Sequence, residues 1–381
     1  MTIAFENIPG EFISKVPVMD YKVPLISVLG KLASYGAVVL TKNKEYYGII
    51  SGKYLIGSIS QGIAKKAAAY KYAVRTSPLG KETSVATAID HFNTFNVEAM
   101  PYIESDKVLG VVRRESILKS ILSMKMLSGY KASEIMSSPI ISISPDSTIS
   151  EALSAMKKKG IGRIALSDSG KLSGMLSYGD LLTYSTGLQQ RTSSKIGKES
   201  NPPTGKASDI ADTNMDLLGH NESADKAIRA FVTKNIHTIV VTRGGKPVGI
   251  LTPKDILSAA SAGNAESDEG IILSGIDSGM EQYADDIRDE VKKLIAKTNR
   301  FTKFKVLNIA VHVKKQKVRN YEIQARLWLD KRGAVSAYAS GYSIEATTKE
   351  AMERLYSEVK NKKEIVSMGK KGLENQYSEE D

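Results

Sequence analysis

The sequence predicts an α+β protein of several domains, and three observations support this prediction. The chain has 381 residues, whereas an ordinary domain contains about 100–150. A unit of helix, strand, turn, strand and helix recurs four times before residue 262. After residue 271 the apolar pattern changes to strand, helix, three strands and helix. The expected fold is therefore a series of β-α-β-β-α repeats followed by a β-α-β-β-β-α domain.

Each repeat contains two short apolar strands, and the second of them begins at glycine. The first strands are predicted at 37–40, 97–103, 163–166 and 238–241. The second strands read Gly48-Ile-Ile-Ser51, Gly110-Val-Val-Arg113, Gly174-Met-Leu-Ser177 and Gly249-Ile-Leu-Thr252. Short apolar runs between polar turns are typical of buried strands. We number the repeats one to four in chain order.

The third repeat carries a family resemblance. It runs from Ala132-Ser-Glu-Ile-Met136 through Ser147-Thr-Ile-Ser-Glu-Ala-Leu153 to Gly174-Met-Leu-Ser-Tyr-Gly-Asp180, and it resembles the CBS domain family. The resemblance covers about residues 8–260. It implies two paired modules, 8–125 and 126–261, with clefts for adenine nucleotides and a homodimer formed through the modules. A polar and basic loop, 187–205, is predicted within the second module.

Two serine or threonine and aspartate pairs are candidate nucleotide-binding residues. Ser177 and Asp180 are three residues apart at the start of a helix, and Thr252 and Asp255 repeat the spacing. The resemblance implies that the carboxylate binds ribose hydroxyls and that the hydroxyl lies near phosphate at a helix N-terminus. A helix capping box is the alternative, because Ser-x-x-Asp also satisfies a helix end. Pro253 at a first helical position fits that alternative.

Other positions of the repeats give weaker predictions. Arg163 and His237 lie at the start of the first strands of repeats three and four and would face the cleft, or else be solvated strand-edge residues. The first repeat has Tyr54 in place of the carboxylate, and the second has Arg113 and Ser116 at the two positions. We therefore expect these two repeats to act as a scaffold or contact surface. AMP, ADP or ATP would be a regulatory ligand, and no cofactor is required.

A second domain is predicted at 271–364, between a small acidic linker, 262–270, and a disordered tail, 365–381. Its helices are predicted at about 279–297 and 344–361, and its alternating strands at 306–314, 320–329 and 334–341. The domain begins with Ile272-Leu-Ser-Gly275, and its last helix follows Ser340-Gly-Tyr-Ser343. These features resemble the bacterial hibernation-promoting factor family, whose members resemble double-stranded RNA-binding domains.

That resemblance implies a position on the small ribosomal subunit, where tRNA and mRNA would bind, and similar archaeal architectures combine CBS repeats with ribosome silencing. The net charge of +11 favours a polyanionic partner. The predicted RNA-binding residues are Lys305, His312, Lys314, Lys315, Lys317, Arg319, Arg326, Trp328, Lys331, Arg332 and Tyr338. Alternation places several of them opposite the apolar stripe, where cations and aromatic rings suit phosphate, ribose and unstacked bases. A solvated sheet face is the alternative.

Several classes of function are excluded by residue type. The chain has no cysteine, so disulfides, thiolate zinc sites and cysteine nucleophiles are ruled out. Its four histidines show no metal-ligand spacing, and no P-loop, nucleophile elbow or dinucleotide fingerprint is present. We therefore expect no catalytic residue, no metal and no enzymatic activity. No visible secretory signal or apolar stretch of about 20 residues occurs, so we expect a cytoplasmic protein without a membrane partner.

The favoured interpretation is a translation-silencing factor whose basic domain occupies the decoding region of the small ribosomal subunit. The repeats would sense adenine nucleotides or contact a second ribosomal surface, such as the large subunit. One alternative is a nucleotide sensor that regulates a partner protein, with the basic domain as an oligomerisation module. Another is the binding of messenger or transfer RNA away from ribosomes.

Overall fold

Two units make up the chain in a computed structural model. The first combines Met1–Ala132 with Ile140–Asn264, and the second combines Ser133–Pro139 with Ala265–Asp381. The structure describes residues 7–55, 67–95, 97–159, 161–186, 205–234, 236–264, 271–274, 282–298, 304–315, 319–329 and 333–377.

The first unit contains, within these described ranges, one three-stranded sheet for each repeat. The sheets, with strands in spatial order, are Val18–Asp20, Ala37–Lys42 and Glu45–Ser51; Ile13–Ser14, Lys107–Arg113 and Ala99–Glu104; Ser142–Ile143, Arg163–Asp168 and Lys171–Ser177; and Asp216–Gly219, Ile239–Arg243 and Lys246–Leu251. The last two strands in sequence pair antiparallel in every sheet. The repeating strand pairs predicted from sequence are confirmed.

The two strands of each pair are connected by a tight turn of the same type. Each turn has two successive residues with positive φ: Asn43 and Lys44, Ser105 and Asp106, Ser169 and Gly170, and Gly244 and Gly245. Two left-handed residues in a two-residue loop match the right-handed twist of the flanking strands. Asparagine, aspartate and glycine tolerate this backbone best, which explains why these residue types recur at the turns.

Within the described residues, the helices of the first unit are Leu25–Tyr35, Val85–Phe95, Arg114–Ser123, Ile149–Lys159, Tyr178–Thr186, Ala224–Lys234 and Pro253–Asn264. The short helix Ala132–Ile135 belongs mostly to the second unit. Helices of repeats one and three share one apolar core, in which Leu25 and Leu29 cluster with Leu181 and Leu182. Repeats three and four share a smaller core, which contains Met175 and Val240. The third repeat is therefore supported by two neighbours.

Polar contacts join the helices of repeats two and four. Ser258 Oγ lies 3.1 Å from Asn93 Oδ1, and Ser261 Oγ lies 2.8 Å from Asp90 Oδ1. The helices Val85–Phe95 and Pro253–Asn264 are thus joined by side-chain hydrogen bonds. Part of the fourth repeat is consequently closed to solvent.

The second unit has a four-stranded sheet in the spatial order Ile271–Ser274, Phe304–Lys315, Arg319–Leu329 and Gly333–Gly341. The first pair is parallel and the others are antiparallel. The helices Gln282–Thr298 and Ile344–Tyr377 contribute residues such as Val291 and Leu355 to a core with Ile309 and Ile323. The predicted β-α-β-β-β-α order is therefore present.

Some predicted boundaries differ from the structure. The helix Ile344–Tyr377 continues beyond residue 365, where a disordered tail was predicted. The segment after residue 361 contains no proline and several good helix formers, which allows the helix to continue. Residues 265–270 of the predicted linker and 187–204 of the predicted loop lie outside the described residues. In the described part of the chain, every helix is too short or too polar to cross a membrane.

Candidate nucleotide-binding site

The hairpin of the third repeat brings Arg163 and Ser177 together. They are cross-strand partners at the open end of the pair formed by Arg163–Asp168 and Lys171–Ser177. Directly opposite residues of an antiparallel pair lie on the same sheet face, with Cβ atoms about 4.5–5.5 Å apart. The helix Tyr178–Thr186 begins immediately after Ser177. Arg163, Ser177 and the first helical turn are therefore neighbours, and Arg163, Ser177 and Asp180 are partly exposed.

A capping box closes the start of this helix. The backbone N–H and the hydroxyl of Ser177 both donate to Asp180 Oδ2, with distances of 2.8 and 2.6 Å. The backbone N–H of Asp180 lies 3.4 Å from Ser177 Oγ. The capping alternative drawn from sequence is therefore realised. Among the described residues, none donates to Asp180 Oδ1, so this oxygen can accept hydrogen bonds from a ligand.

Replacing Ser177 with alanine is expected to lower the free energy of unfolding by about 0.5–2 kcal/mol, because loss of an N-cap hydroxyl typically has this effect. Urea denaturation of the full chain would measure the change. Ser154→Ala is a matched control, because Ser154 is exposed within the helix Ile149–Lys159 and has no capping position. Equal effects of the two substitutions would show that the cap contributes nothing.

The fourth repeat has the same helix cap, but its carboxylate is buried. Thr252 N–H and Thr252 Oγ1 donate to Asp255 Oδ2 at 2.7 and 2.6 Å. Asp255 is only 1% exposed, whereas Asp180 is partly exposed. The sequence names both carboxylates as candidates for the ribose contact, with helix capping as the alternative, and the burial of Asp255 makes it the less accessible of the two. The helix that carries Asp255 is covered by its contacts with the second repeat.

His237 contacts a residue that the sequence did not single out. Its Nδ1 lies 3.2 Å from Oε1 of Glu115, which lies in the first turn of the helix Arg114–Ser123 of the second repeat. Burial raises the pKa of Glu115, but the hydrogen bond with His237, a bond from its own backbone N–H and the charges of His237 and Arg114 outweigh burial. The net pKa of Glu115 lies below the ordinary value of 4.5. His237 thus links repeats two and four.

Stability should therefore depend on the ionisation of Glu115. Because folding lowers its pKa, the interaction stabilises the fold above about pH 4.5 and is lost as the pH falls through the folded-state pKa. The Tm of wild type should exceed that of Glu115→Gln by at most about 2–4 °C near pH 6, as expected for a partly exposed pair. The difference should become smaller as the pH falls below about 4.5 and through the folded-state pKa. A difference that grows on acidification would contradict this assignment.

Arg113 has a structural role in the second repeat. Its guanidinium donates to the carbonyl of Tyr35, at the end of the helix Leu25–Tyr35 of the first repeat. Gly36 follows with φ of 68°, and a Cβ added there would lie 3.1 Å from Arg113 Nη1. This contact joins the first two repeats, and their role as a scaffold stays a prediction. The side chain of Tyr54 lies outside the described residues.

The predicted RNA-binding surface is described only in part. Lys317, Lys331 and Arg332 lie outside the described residues, as do the side chains of Lys305, His312, Lys314, Lys315, Arg319 and Trp328. Tyr338 is partly exposed, and its carbonyl accepts a 2.7 Å hydrogen bond from Arg354. The RNA-binding role of this group remains a prediction.

Arg326 is placed differently from the sequence prediction. Alternation suggested a solvent-facing cation, but Arg326 is 8% exposed and its Nη2 donates to Ser137 Oγ at 3.2 Å. Ser137 belongs to Ser133–Pro139, a segment of the second unit. Arg326 is buried because a segment distant in sequence contacts this part of the sheet. Arg326 is therefore not available to phosphate in this structure.

Comparisons with known proteins agree with the geometry of the first unit. Residues 132–187 and 207–262 match the CBS domain family. Protein MJ1225 from Methanocaldococcus jannaschii, described as a proposed archaeal homolog of g-AMPK, superposes with a TM-score of 0.55 and 16% identity. The match covers 65% of this chain and 98% of that chain. This likeness shows the fold of the repeats.

Two further proteins are similar over smaller parts. Protein PAE2072 from Pyrobaculum aerophilum, a CBS domain protein complexed with AMP, matches with 22% identity and a TM-score of 0.28 over 33% of this chain and 89% of that one. An uncharacterized 33.4 kDa protein in the ribosomal RNA operon of Thermofilum pendens is 23% identical over 42% of this chain. The match covers 54% of that relative, so the chain spans about half its length.

Proposed function

From the CBS domains at 132–187 and 207–262, we propose that the chain is an adenine-nucleotide sensor whose third repeat binds the ligand. The observation that carries this proposal is the partly exposed Asp180, whose Oδ2 is held by Ser177, the cross-strand partner of Arg163. Among the described residues, no donor bonds to its Oδ1. A carboxylate oxygen accepts hydrogen bonds from ribose hydroxyls, and such charge-assisted bonds are stronger than neutral ones. The capping box orients Asp180 before the ligand arrives.

Arg163 and the helix start provide groups for phosphate. The guanidinium of Arg163 can bind a phosphate through two hydrogen bonds, and its strand position keeps it beside Ser177. Backbone N–H groups at the start of the helix Tyr178–Thr186 add a favourable partial positive charge. The ligand binds and leaves without being transformed.

The fourth repeat is the weaker candidate, because a nucleotide would have to expose Asp255 to reach its carboxylate. Breaking the packing between repeats two and four would oppose binding. The proposal therefore assigns the ligand contact to repeat three and a supporting role to repeat four.

Nucleotide binding would regulate a partner protein, with the second unit as an oligomerisation module. The extent of regulation is limited by the difference in nucleotide affinity between two arrangements of the protein. The free energy that nucleotide binding transmits to a distant surface cannot exceed this difference. The match to CBS domains favours the sensor role over the ribosome-silencing interpretation.

Calorimetric titration of AMP, ADP and ATP into the full chain tests the sensor proposal. We expect at least one of them to bind saturably, with one ligand per chain. GTP is the matched control for recognition of the base. Absence of binding up to millimolar concentrations, with GTP and all three adenine nucleotides giving only heats of dilution, would refute the proposal.

RNA binding by the second unit is a second candidate function, favoured by its charge. Between Asn299 and Ala334, lysine and arginine outnumber the acids Glu322 and Asp330. Occupation of the small-subunit decoding region and silencing of translation belong to this proposal. Co-sedimentation of the full chain with small ribosomal subunits should occur at low salt and fall steeply at high salt. Salt-insensitive co-purification with one protein would instead support the partner-regulating sensor.

A further inference from the structure

Three tyrosines form a surface cluster on the first repeat. The ring centroids of Tyr21 and Tyr47 are 5.0 Å apart, and those of Tyr21 and Tyr70 are 5.6 Å apart. Tyr47 and Tyr70 meet edge to face at 6.3 Å. Tyr70 is 37% exposed, and the other two are partly buried against the core. We call these three residues the tyrosine cluster.

Backbone hydrogen bonds hold the cluster in place. Tyr21 N–H donates to the carbonyl of Thr41 at 2.9 Å, and Tyr70 N–H donates to the carbonyl of Tyr21 at 2.9 Å. Tyr47 lies in the strand Glu45–Ser51, which pairs with the strand that contains Thr41. The rings therefore come from three backbone segments that are bonded in series. A ligand would meet rings that are already positioned.

Exposed cations surround these rings. Lys22 Nζ and Lys42 Nζ lie 5.6 and 5.8 Å from the Tyr21 ring centroid, and Arg75 Cζ lies 4.6 Å from that of Tyr47. Among the described residues, no carboxylate lies within 4.0 Å of the charged nitrogens of these cations. The nearby acids in sequence are Asp20, which accepts from the Lys22 backbone, and Glu45. Positive charge therefore exceeds negative charge around the rings.

From this juxtaposition, we propose that the tyrosine cluster is a binding site for single-stranded RNA. Unpaired bases stack on aromatic side chains, while a basic rim follows the phosphate backbone. Cation–π contacts alone would also stabilise the first repeat. Those contacts do not explain the excess positive charge or the exposure of Tyr70. A polyanion with aromatic bases would interact with both. The site is separate from Asp180 and does not depend on nucleotide sensing.

Photo-crosslinking locates the site even if the second unit also binds RNA. The full chain would be irradiated with a 4-thiouridine RNA 12-mer, and the crosslinked peptides would be identified by mass spectrometry. We expect crosslinks on peptides that contain Tyr70 or Tyr47, and their loss in Tyr70→Ala. Crosslinks confined to other parts of the chain would overturn the proposal.

Fluorescence anisotropy with a labelled single-stranded 12-mer measures the contribution of stacking. Tyr70→Ala should weaken the crosslink-defined site about 5- to 100-fold, which is the usual effect of removing one stacked ring. Tyr70→Phe keeps the ring and should bind like wild type. Tyr342→Ala removes an exposed tyrosine of the second unit and serves as the control. Equal affinity of Tyr70→Ala and wild type would contradict the assignment.

Charge and competition provide the remaining tests. Lys42→Gln should reduce the slope of log affinity against log salt by about 0.7, the value for one phosphate contact on a single strand.

An unlabelled RNA duplex of equal length should compete poorly. Equal competition by the duplex or by an acidic peptide would overturn the proposal, the latter in favour of a protein partner. Asp180→Ala should leave RNA binding unchanged, which separates this result from failure of the sensor proposal.

Discussion

The Asp180→Ala variant is expected to bind AMP about 10- to 100-fold more weakly than the wild-type chain. Hydrogen bonds to a charged group contribute about 1.5–3 kcal/mol, and alanine removes the acceptor that we assign to the ribose hydroxyls. The carboxylate is partly exposed and is already oriented by Ser177. Titration calorimetry of the full chain measures the affinity directly.

Two controls separate ligand contact from helix capping. Ser177→Ala removes the capping hydroxyl but leaves the carboxylate, so it should lose less affinity than Asp180→Ala. Asp168→Ala removes an exposed acid from the same hairpin and should bind AMP like wild type. If Asp180→Ala retained wild-type affinity while remaining folded, the assignment of Asp180 would be wrong.

The Leu29→Ala variant is expected to lose about 2–5 kcal/mol of unfolding free energy, as is typical of a buried leucine. Leu29 is 1% exposed and belongs to the core that repeats one and three share. The destabilisation should therefore extend to the third repeat, and the backbone amides of the helix Tyr178–Thr186 should exchange hydrogen faster than in wild type. Urea denaturation and hydrogen exchange of the full chain measure the two effects.

Leu217→Ala is the matched control for this core substitution. Leu217 is 63% exposed on the strand Asp216–Gly219, so truncation should change the unfolding free energy by less than about 0.5 kcal/mol. If Leu29→Ala accelerated exchange only within the first repeat, repeats one and three would unfold independently. That result would contradict the shared core.

Local sequence patterns predicted much of the fold. Short apolar runs and turn residues identified the strand pairs of each repeat, because burial and tight turns impose their residue types locally. Alternation likewise identified the strands Arg319–Leu329 and Gly333–Gly341 of the second unit. The spacing of Ser177 and Asp180 identified one of the two candidate carboxylates, and this one remains partly exposed.

Tertiary packing decided the features that sequence could not reveal. Asp255 has the same local spacing as Asp180, but packing of its helix against the second repeat buries it. Arg326 contacts Ser137 across a sequence separation of 189 residues, so no local pattern foretells its burial. The tyrosine cluster similarly assembles residues from three separate segments. Local periodicity describes one element at a time, so it contains no information on contacts between residues of separate segments.

Hydrogen exchange of the full chain, with and without saturating AMP, tests the central claim most directly. A bound nucleotide should slow exchange in peptides that cover Arg163 and the start of the helix Tyr178–Thr186, because ligand contacts stabilise the closed amides there. The account predicts the strongest slowing in these peptides of the third repeat. Slowing confined to the fourth repeat around Asp255, or no change in either repeat, would contradict it.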